Sequence, residues 1–373
     1  MGRNMIQKKI KILYTIPNFD TAGSGKVVYD LINNLDRTIF EPEICCFHTK
    51  GSFMEEIEKL QVKIHVFPFA INYRPFFSFP FRLLKIILFF KNHQFDIIHS
   101  WHWSSDFSEP LAAKLAGIPW IYTKKAMGWG NKAWKWRSAL SAKIITINDD
   151  MKSFFEDRMP DKIEAIPLGV DTHYYVPRLK NENTLLEELT IDKNDFIIIS
   201  VVNLIPKKGI EILIKAIIEL NNPQIKLYIV GNNTGEYAQG LLELTKGNLN
   251  IKFLGKKMDV RPYHAIADLF VIPTLELAEG LPIAPLEAMA SGNIVIGSNV
   301  SGIKDILEPF PSYLFETNNV ESLKAAILRI LNMSLEERVQ LAKDMRTHVE
   351  NEFSLEHFIK MNSKLYKKIL KRE

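Results

Sequence analysis

The sequence predicts an α/β protein of two domains, each a parallel, doubly wound sheet with helices on both faces. Apolar runs of strand length alternate with helix-period stretches from end to end. At 373 residues the chain exceeds the size at which one hydrophobic core stops growing, and 47% apolar content is ordinary for a globular protein. A polar stretch, Arg178 to Asp195, interrupts the alternation near the middle, and the pattern then restarts.

In the first half, strands are expected at Ile10 to Ile16, Glu43 to His48, Ile64 to Phe67, Asp96 to Trp101, Trp120 to Thr123 and Lys143 to Ile147. Between the first two, Val28, Leu31, Ile32 and Leu35 keep the i, i+3, i+4, i+7 spacing of an amphipathic helix. The second half restarts with a strand at Phe196 to Val202, followed by the same helical spacing in Ile210, Leu213, Ile214 and Ile217. Further strands are expected at Ile225 to Val230, Ile251 to Leu254, Leu269 to Ile272, Ile294 to Ile296 and Tyr313 to Phe315, then helices over Val320 to Phe353 and Leu355 to Glu373. With the linker in the polar stretch, the domains are expected at residues 1–177 and 178–354.

Composition narrows the function classes. Met1 to Lys11 carries four basic residues but no apolar run follows them, and no segment reaches the roughly 20 apolar residues of a membrane-spanning helix, so a cytoplasmic chain is expected. Cys45 and Cys46 are adjacent in an apolar run and read as core, which sets redox and zinc chemistry aside. Residues 1–180 hold 25 Lys plus Arg against 18 Asp plus Glu, and the remainder 22 against 25, so the front half is the basic one. That asymmetry suits a membrane surface or a diphosphate-linked substrate better than nucleic acid, for which no motif is present.

The most informative segment is Glu279-Gly280-Leu281-Pro282-Ile283-Ala284-Pro285-Leu286-Glu287. A glycine and a proline at an expected helix start, with carboxylates eight positions apart around it, can hold a sugar diphosphate: hydroxyls on the carboxylates, phosphates on backbone N–H groups. The segment resembles the Glu-x7-Glu motif of retaining glycosyltransferases of family 4, whose members have the GT-B fold of two Rossmann-like domains facing a cleft. The resemblance implies that Glu279 binds the donor sugar's hydroxyls and Glu287 the nucleoside ribose. It also implies that the last helix, 355–373, belongs with the first domain. Glu276 offers a second register, and the spacing to Glu287 decides for Glu279.

Two more loops carry chemistry. Thr21 to Lys26 follows the first strand, and Gly23 and Gly25 let the backbone approach an anionic ligand at a helix start. Asp20 and Val27 occupy positions where a nucleotide-triphosphate loop needs glycine and Ser or Thr, so that reading fails, and the loop resembles the family's glycine-rich loop instead. Asn203 to Gly209 ends the first strand of the second half, and a cation there can neutralise charge growing on a departing diphosphate. Lys208 matches the lysine of the family's Arg-x4-Lys pair, while Asn203 stands where the arginine is usual; Lys207 is an adjacent alternative.

Gly231 after a strand, Phe253 to Lys256, Ala267 to Pro273, Ser301 to Asp305 and Ile166 to Asp171 extend the resemblance in the right order over most of the chain. The front half departs more. Asp96 to His99 and Tyr122 to Lys125 align with the family's acceptor-side strands, but Lys125 stands where a histidine is often found, and His99 and His102 are the nearest imidazoles. A strand histidine that is merely hydrogen-bonded is the equally ordinary reading of His99, and the general base stays unassigned.

Acceptor contacts are expected in two basic, aromatic stretches. Phe76 to Lys91 is strongly apolar with Arg82, Lys85 and Lys91, and residues 121–143 hold six Lys or Arg, no acid, and Trp129, Trp134 and Trp136. Both compositions fit a bilayer interface, and a core helix followed by a solvated loop would fit as well.

The resemblance thus implies transfer of a sugar, with retention, from a nucleotide donor, expected to be a UDP-sugar, to a polysaccharide or lipid-linked glycan at the inner face of the cytoplasmic membrane. Lys208 and Glu279 are the expected catalytic residues. Gly23, Gly25, Asn203, Gly231, Glu279, Gly280, Leu281, Pro282 and Glu287 are the expected donor-binding set, and His99, His102 and Lys125 the acceptor side. No cofactor is expected, and without an Asp-x-Asp motif no metal is expected on the diphosphate. A nucleotide-sugar epimerase of similar fold and a degenerate sugar-binding partner protein are the alternatives.

Overall fold

A computed structural model describes residues 8–20, 22–128, 131–178, 184–276 and 280–372. The chain divides into two compact units, one of residues up to Pro167 together with those from Phe358 onward, the other Leu168–His357.

The first unit holds strands β1 (Ile10–Thr15), β2 (Phe40–Cys46), β3 (Ile64–Val66), β4 (Ile97–Ser100), β5 (Trp120–Lys124), β6 (Lys143–Thr146) and β7 (Ile163–Ala165). They lie in the order β3-β2-β1-β4-β5-β6-β7, every neighbouring pair parallel. The second unit holds β8 (Phe196–Val201), β9 (Ile225–Val230), β10 (Ile251–Gly255), β11 (Leu269–Ile272), β12 (Ile294–Ser298) and β13 (Leu314–Phe315), in the order β10-β9-β8-β11-β12-β13, again all parallel. Each is a doubly wound, Rossmann-like sheet whose strand order reverses at β1/β4 in one unit and β8/β11 in the other, which is where such sheets bind ligands.

Apolar strands become central because helices cover both faces, leaving Leu13, Ile98 and Ile144 in the first unit and Ile198, Leu227 and Phe270 in the second without exposure. In the helix Ala22–Asn33, Val28, Leu31 and Ile32 are fully buried. In the helix Ile210–Leu220 the buried stripe is Ile210, Leu213, Ile214 and Ile217, and Asn221, at φ 44°, ends the helix in the left-handed region. Truncating a residue such as Leu31 or Leu213 to alanine costs about 2–5 kcal/mol.

Sequence and structure differ at three junctions. The expected helical run from Val320 to Phe353 is two helices, Val320–Leu331 and Leu335–Glu352. Ser334 breaks it by accepting a hydrogen bond from the Glu337 N–H while the Glu337 carboxylate accepts one from the Ser334 N–H, a reciprocal cap that starts a new helix. The chain enters the second unit at Leu168, ahead of the polar stretch, because Val170 pairs with residues 353–355: its N–H donates to the Phe353 carbonyl and its carbonyl accepts from Leu355 N–H, both at 2.8 Å. The final helix, Leu355–Ile369, stops short of Glu373 and joins the first unit from Phe358, where Tyr366 packs edge-on against Tyr14 and Phe40. Among the described residues no helix is long and apolar enough to cross a membrane.

Candidate active site

At the β8/β11 switch point of the second unit, the loop after β8 carries Asn203, Lys207 and Lys208, and the loop after β11 leads to Gly280 and the helix Ile283–Ala290. Backbone contact stitches these loops together: Leu275 N–H donates to the Lys207 carbonyl at 2.9 Å, and Gly209, at φ +62°, lies so close that a Cβ would meet the Pro273 carbonyl at 2.2 Å. Lys207 is exposed and Lys208 is half-buried, so of the two lysines it is Lys208 that the fold withdraws from water. That burial brings its ammonium down to about 8. Asn203 stays exposed.

Gly280, Leu281 and Pro282 are buried, and Pro282 caps the helix Ile283–Ala290 in extended conformation, so the helix begins two residues beyond Leu281. Its first-turn amides, Ile283 and Ala284, have no intrahelical acceptor and present the positive end of the helix. The loop after β12 supports this start. Gly302 has φ +80° and approaches the Gly280 carbonyl so closely that a Cβ would stand 2.1 Å from its oxygen. Its N–H donates to Asp305 Oδ2 at 2.8 Å.

Glu287 lies one turn into that helix, half-buried, and its Oε1 accepts a hydrogen bond from the Tyr175 hydroxyl at 2.8 Å. Arg346 fixes the tyrosine's backbone, donating from Nη1 to the Tyr175 carbonyl at 3.1 Å and to the Ala290 carbonyl at the end of the same helix. Sequence reasoning missed Tyr175, 112 positions away; the signal available was its place just after the Ile166 to Asp171 segment. Glu279 lies outside the described residues, and Glu276, the other register, is exposed. Gly231 follows β9 directly, with its N–H on the Gly255 carbonyl, and a Cβ there would meet the Val202 carbonyl at 2.2 Å. Close approach of strand ends thus already demands that glycine.

In the first unit, Gly23 kinks the start of the helix Ala22–Asn33 with non-helical φ −24°, ψ −105°, and Gly25 leaves room for the Phe19 ring. Lys125, at the end of β5, reaches this loop: its Nζ donates to Ser24 Oγ at 3.0 Å and to the Trp101 carbonyl at 2.5 Å. Burial, then the nearby Arg137 charge, brings the lysine down to about 7. His102 is brought down to about 3 by burial, Arg137 and Lys125, and it borders both a cavity of ≈ 290 Å³ with Tyr73 and Asn131 and one of ≈ 110 Å³ with Lys124, Lys125 and Trp134.

His99 is different. It is fully buried, with Nδ1 against the Tyr366 hydroxyl at 2.7 Å and Nε2 against Thr123 Oγ1 at 2.9 Å, and burial lowers it to about 3. Both ring nitrogens are used inside the core, so its place on the acceptor side does not follow from this geometry. Sequence reasoning also missed the buried pair behind the cavities. Glu109 accepts from Thr15 and Ser100 and lies 3.7 Å from Arg137, which in turn holds the Asp106 and His102 carbonyls.

Comparison with known proteins agrees with this architecture. Residues 181–348 match the glycosyl transferases group 1 family, and residues 21–174 match glycosyltransferase family 4. The chain belongs to glycosyltransferase family 4. A solved glycosyltransferase from Rickettsia africae ESF-5 superposes with a TM-score of 0.87 at 21% identity, covering 98% of this chain and 100% of that one. Anabaena Alr3699/HepE, solved in complex with UDP and glucose, gives 0.80 at 18% identity over 96% of this chain and 100% of that one. Both show that the fold is of the GT-B type. In sequence, the transferase is 27% identical to UDP-Gal:alpha-D-GlcNAc-diphosphoundecaprenol alpha-1,3-galactosyltransferase of Escherichia coli, covering 73% of this chain and 75% of that protein. It is 24% identical to the capsular polysaccharide biosynthesis glycosyltransferase CapH of Staphylococcus aureus, over 86% and 90%. The chain is therefore a glycosyltransferase of glycan biosynthesis.

Proposed function

We propose that this glycosyltransferase takes a UDP-sugar and transfers its sugar, with retention and without a metal ion, to a hydroxyl of a lipid-linked or polysaccharide acceptor on the cytoplasmic side of the membrane. The observation that carries the reading is the pairing, at one switch point, of a desolvated ammonium, a helix start and a carboxylate held in place by Tyr175. The similarity to a galactosyltransferase that uses UDP-Gal on a diphosphoundecaprenol-linked sugar, and to a fold relative solved with UDP, supports the donor and acceptor classes.

In this reading Glu287 binds the ribose hydroxyls, and Glu279 the donor sugar. As the bond from the anomeric carbon to the diphosphate oxygen breaks, negative charge grows on the leaving phosphate. Lys208 and the amides at the start of the helix Ile283–Ala290 stabilise it, the electrostatic work a metal ion does in other transferases. The acceptor oxygen bonds to the same face of the anomeric carbon, and its proton passes to the departing phosphate oxygen, so no general base is required. Low dielectric around Lys208 strengthens its attraction for the diphosphate.

Incubating the enzyme with labelled UDP-sugars and isolated membranes tests the reading. Label entering lipid-linked or polymeric glycan, with the donor's anomeric configuration kept in the product, is expected. Label that changes sugar identity without an acceptor would mark an epimerase, and complete absence of turnover with every nucleotide sugar would mark a binding protein.

A further inference from the structure

The helix Phe79–His93 has two apolar faces, and among the described residues only one of them has a partner. Leu83, Ile86 and Phe90 face the sheet and are buried. On the opposite side Phe81 is 73% exposed, Leu84 49% and Leu88 48%, and the turn that leads into the helix adds Phe76 at 69% and Phe77 at 82%. Phe77, Phe81, Leu84 and Leu88 follow i, i+4, i+7, i+11, so they form one stripe along the helix rather than scattered exposure. A soluble surface rarely leaves such a contiguous row of large apolar side chains in water without a use for it.

Charge decides what covers the stripe. From Lys59 to Phe95 the chain has six Lys or Arg and no Asp or Glu. Lys85 and Lys91 are exposed beside the stripe. Arg82 donates to the Asn72 and Pro75 carbonyls and to Ser78 Oγ, fastening the turn that carries Phe76 and Phe77 onto the helix. An aromatic and aliphatic row bordered by long cations, with no anion among them, matches the acyl boundary and anionic headgroups of a bilayer. At 15 residues the helix is about 22 Å long, short of the roughly 30 Å hydrocarbon core, so it lies along the surface.

The other stretch with membrane-like composition does not form such a face. Trp134 packs on Phe154 and Phe155, Arg137 is buried, Trp129 lies outside the described residues, and Trp136 is left as a single exposed ring.

We propose that the outer face of the segment Phe76–Lys91, with Phe76, Phe77, Phe81, Leu84 and Leu88 inserted and Lys85 and Lys91 on the headgroups, docks this enzyme on an anionic lipid surface. The docking rests on the first unit alone and is independent of the donor and acceptor assigned above.

Co-sedimentation of the full-length protein with vesicles of phosphatidylglycerol and phosphatidylcholine, and with phosphatidylcholine alone, tests it. Binding is expected only to the anionic vesicles, weakened at least about tenfold in the Phe77→Ser/Phe81→Ser protein and, in a salt-dependent way, in Lys85→Glu/Lys91→Glu. Circular dichroism and UDP affinity should match the parent, since all four side chains are exposed. Failure to sediment with either vesicle, or undiminished sedimentation of both variants, would overturn the proposal. So would a parent protein that is dimeric in analytical ultracentrifugation and becomes monomeric in the Phe77→Ser/Phe81→Ser form, because a second copy would then be the occupant.

Discussion

The carboxyl-end loops of the two sheets solve different problems with different materials. In the second unit, backbone meets backbone: Gly209 against Pro273, Gly302 against Gly280 and Gly231 against Val202, with Lys208 and Glu287 as the charged groups set into that frame. In the first unit one such approach, Gly51 against the Phe19 carbonyl, joins the loops after β1 and β2, and around the β1/β4 switch point side chains do the joining: Lys125 reaches Ser24, Arg137 holds the Asp106 and His102 carbonyls, and Glu109 gathers Thr15 and Ser100. A frame of close backbone contacts admits few residue types. A frame of side-chain contacts can be rebuilt from many.

That difference explains how much the sequence revealed. Glycine and proline at forced spacing made the Glu279 to Glu287 segment readable, and alternating apolar runs made both sheets readable, because period-2 and period-3.6 burial leave little freedom. Tyr175 was not legible, since nothing local says that its hydroxyl ends on a carboxylate 112 residues away. Nor was the Glu109–Arg137 pair, whose members stand in unrelated elements. His99 is a different case: the sequence left a functional and a merely hydrogen-bonded reading equally open, and in the fold both ring nitrogens lie against core hydroxyls, those of Tyr366 and Thr123.

The comparison can be broken most sharply at the charged groups of the second unit. Lys208→Ala should lower kcat by about two to three powers of ten, the range for losing one electrostatic donor to a leaving group, with UDP-sugar turnover in membranes as the measurement. Loss confined to KM would assign Lys208 to binding alone. At the backbone frame, Gly302→Ala must push Gly280 away or distort a residue at φ +80°, so donor affinity and thermal stability should fall together. Retained values for both would show that the close approach is not needed.

Tyr175→Phe should act more weakly. Removing one hydroxyl from a carboxylate costs about 1.5–3 kcal/mol where the bond is fully formed, and a half-buried site gives the lower part of that range. A rise of roughly tenfold in KM for the donor with kcat nearly kept, read from initial rates, is the signature of a group that only positions Glu287.

Protonation separates the two units. Lys208 is charged below about 8, so UDP affinity should decline as pH rises through that value, and Lys208→Arg should remove the decline. Lys125, in the first unit, loses its charge near 7, so an effect on acceptor use should appear earlier, with donor binding unmoved. Stability differs as well. His99 and His102 have folded values of about 3 and His264 about 4, each lowered first by burial from 6.5, so the unfolded chain takes up protons that the folded one refuses. Stability is therefore whole above about pH 6.5 and is lost as pH falls toward those values; His65 in the first unit and His348 in the second are lowered by burial as well, but the largest shifts fall on two groups in the first unit and one in the second. All six tryptophans lie between Trp101 and Trp136, so their fluorescence follows the first unit, and acid unfolding should be seen there at higher pH than in circular dichroism of the whole chain.

Calorimetric titration of UDP into the full-length enzyme and into Glu287→Ala tests the donor assignment most directly. Loss of a carboxylate that holds the ribose hydroxyls should weaken UDP roughly tenfold to a hundredfold while Lys125→Ala leaves it unchanged. Equal affinity of the parent and Glu287→Ala, or a loss in Lys125→Ala instead, would contradict the assignment of the donor to the second unit.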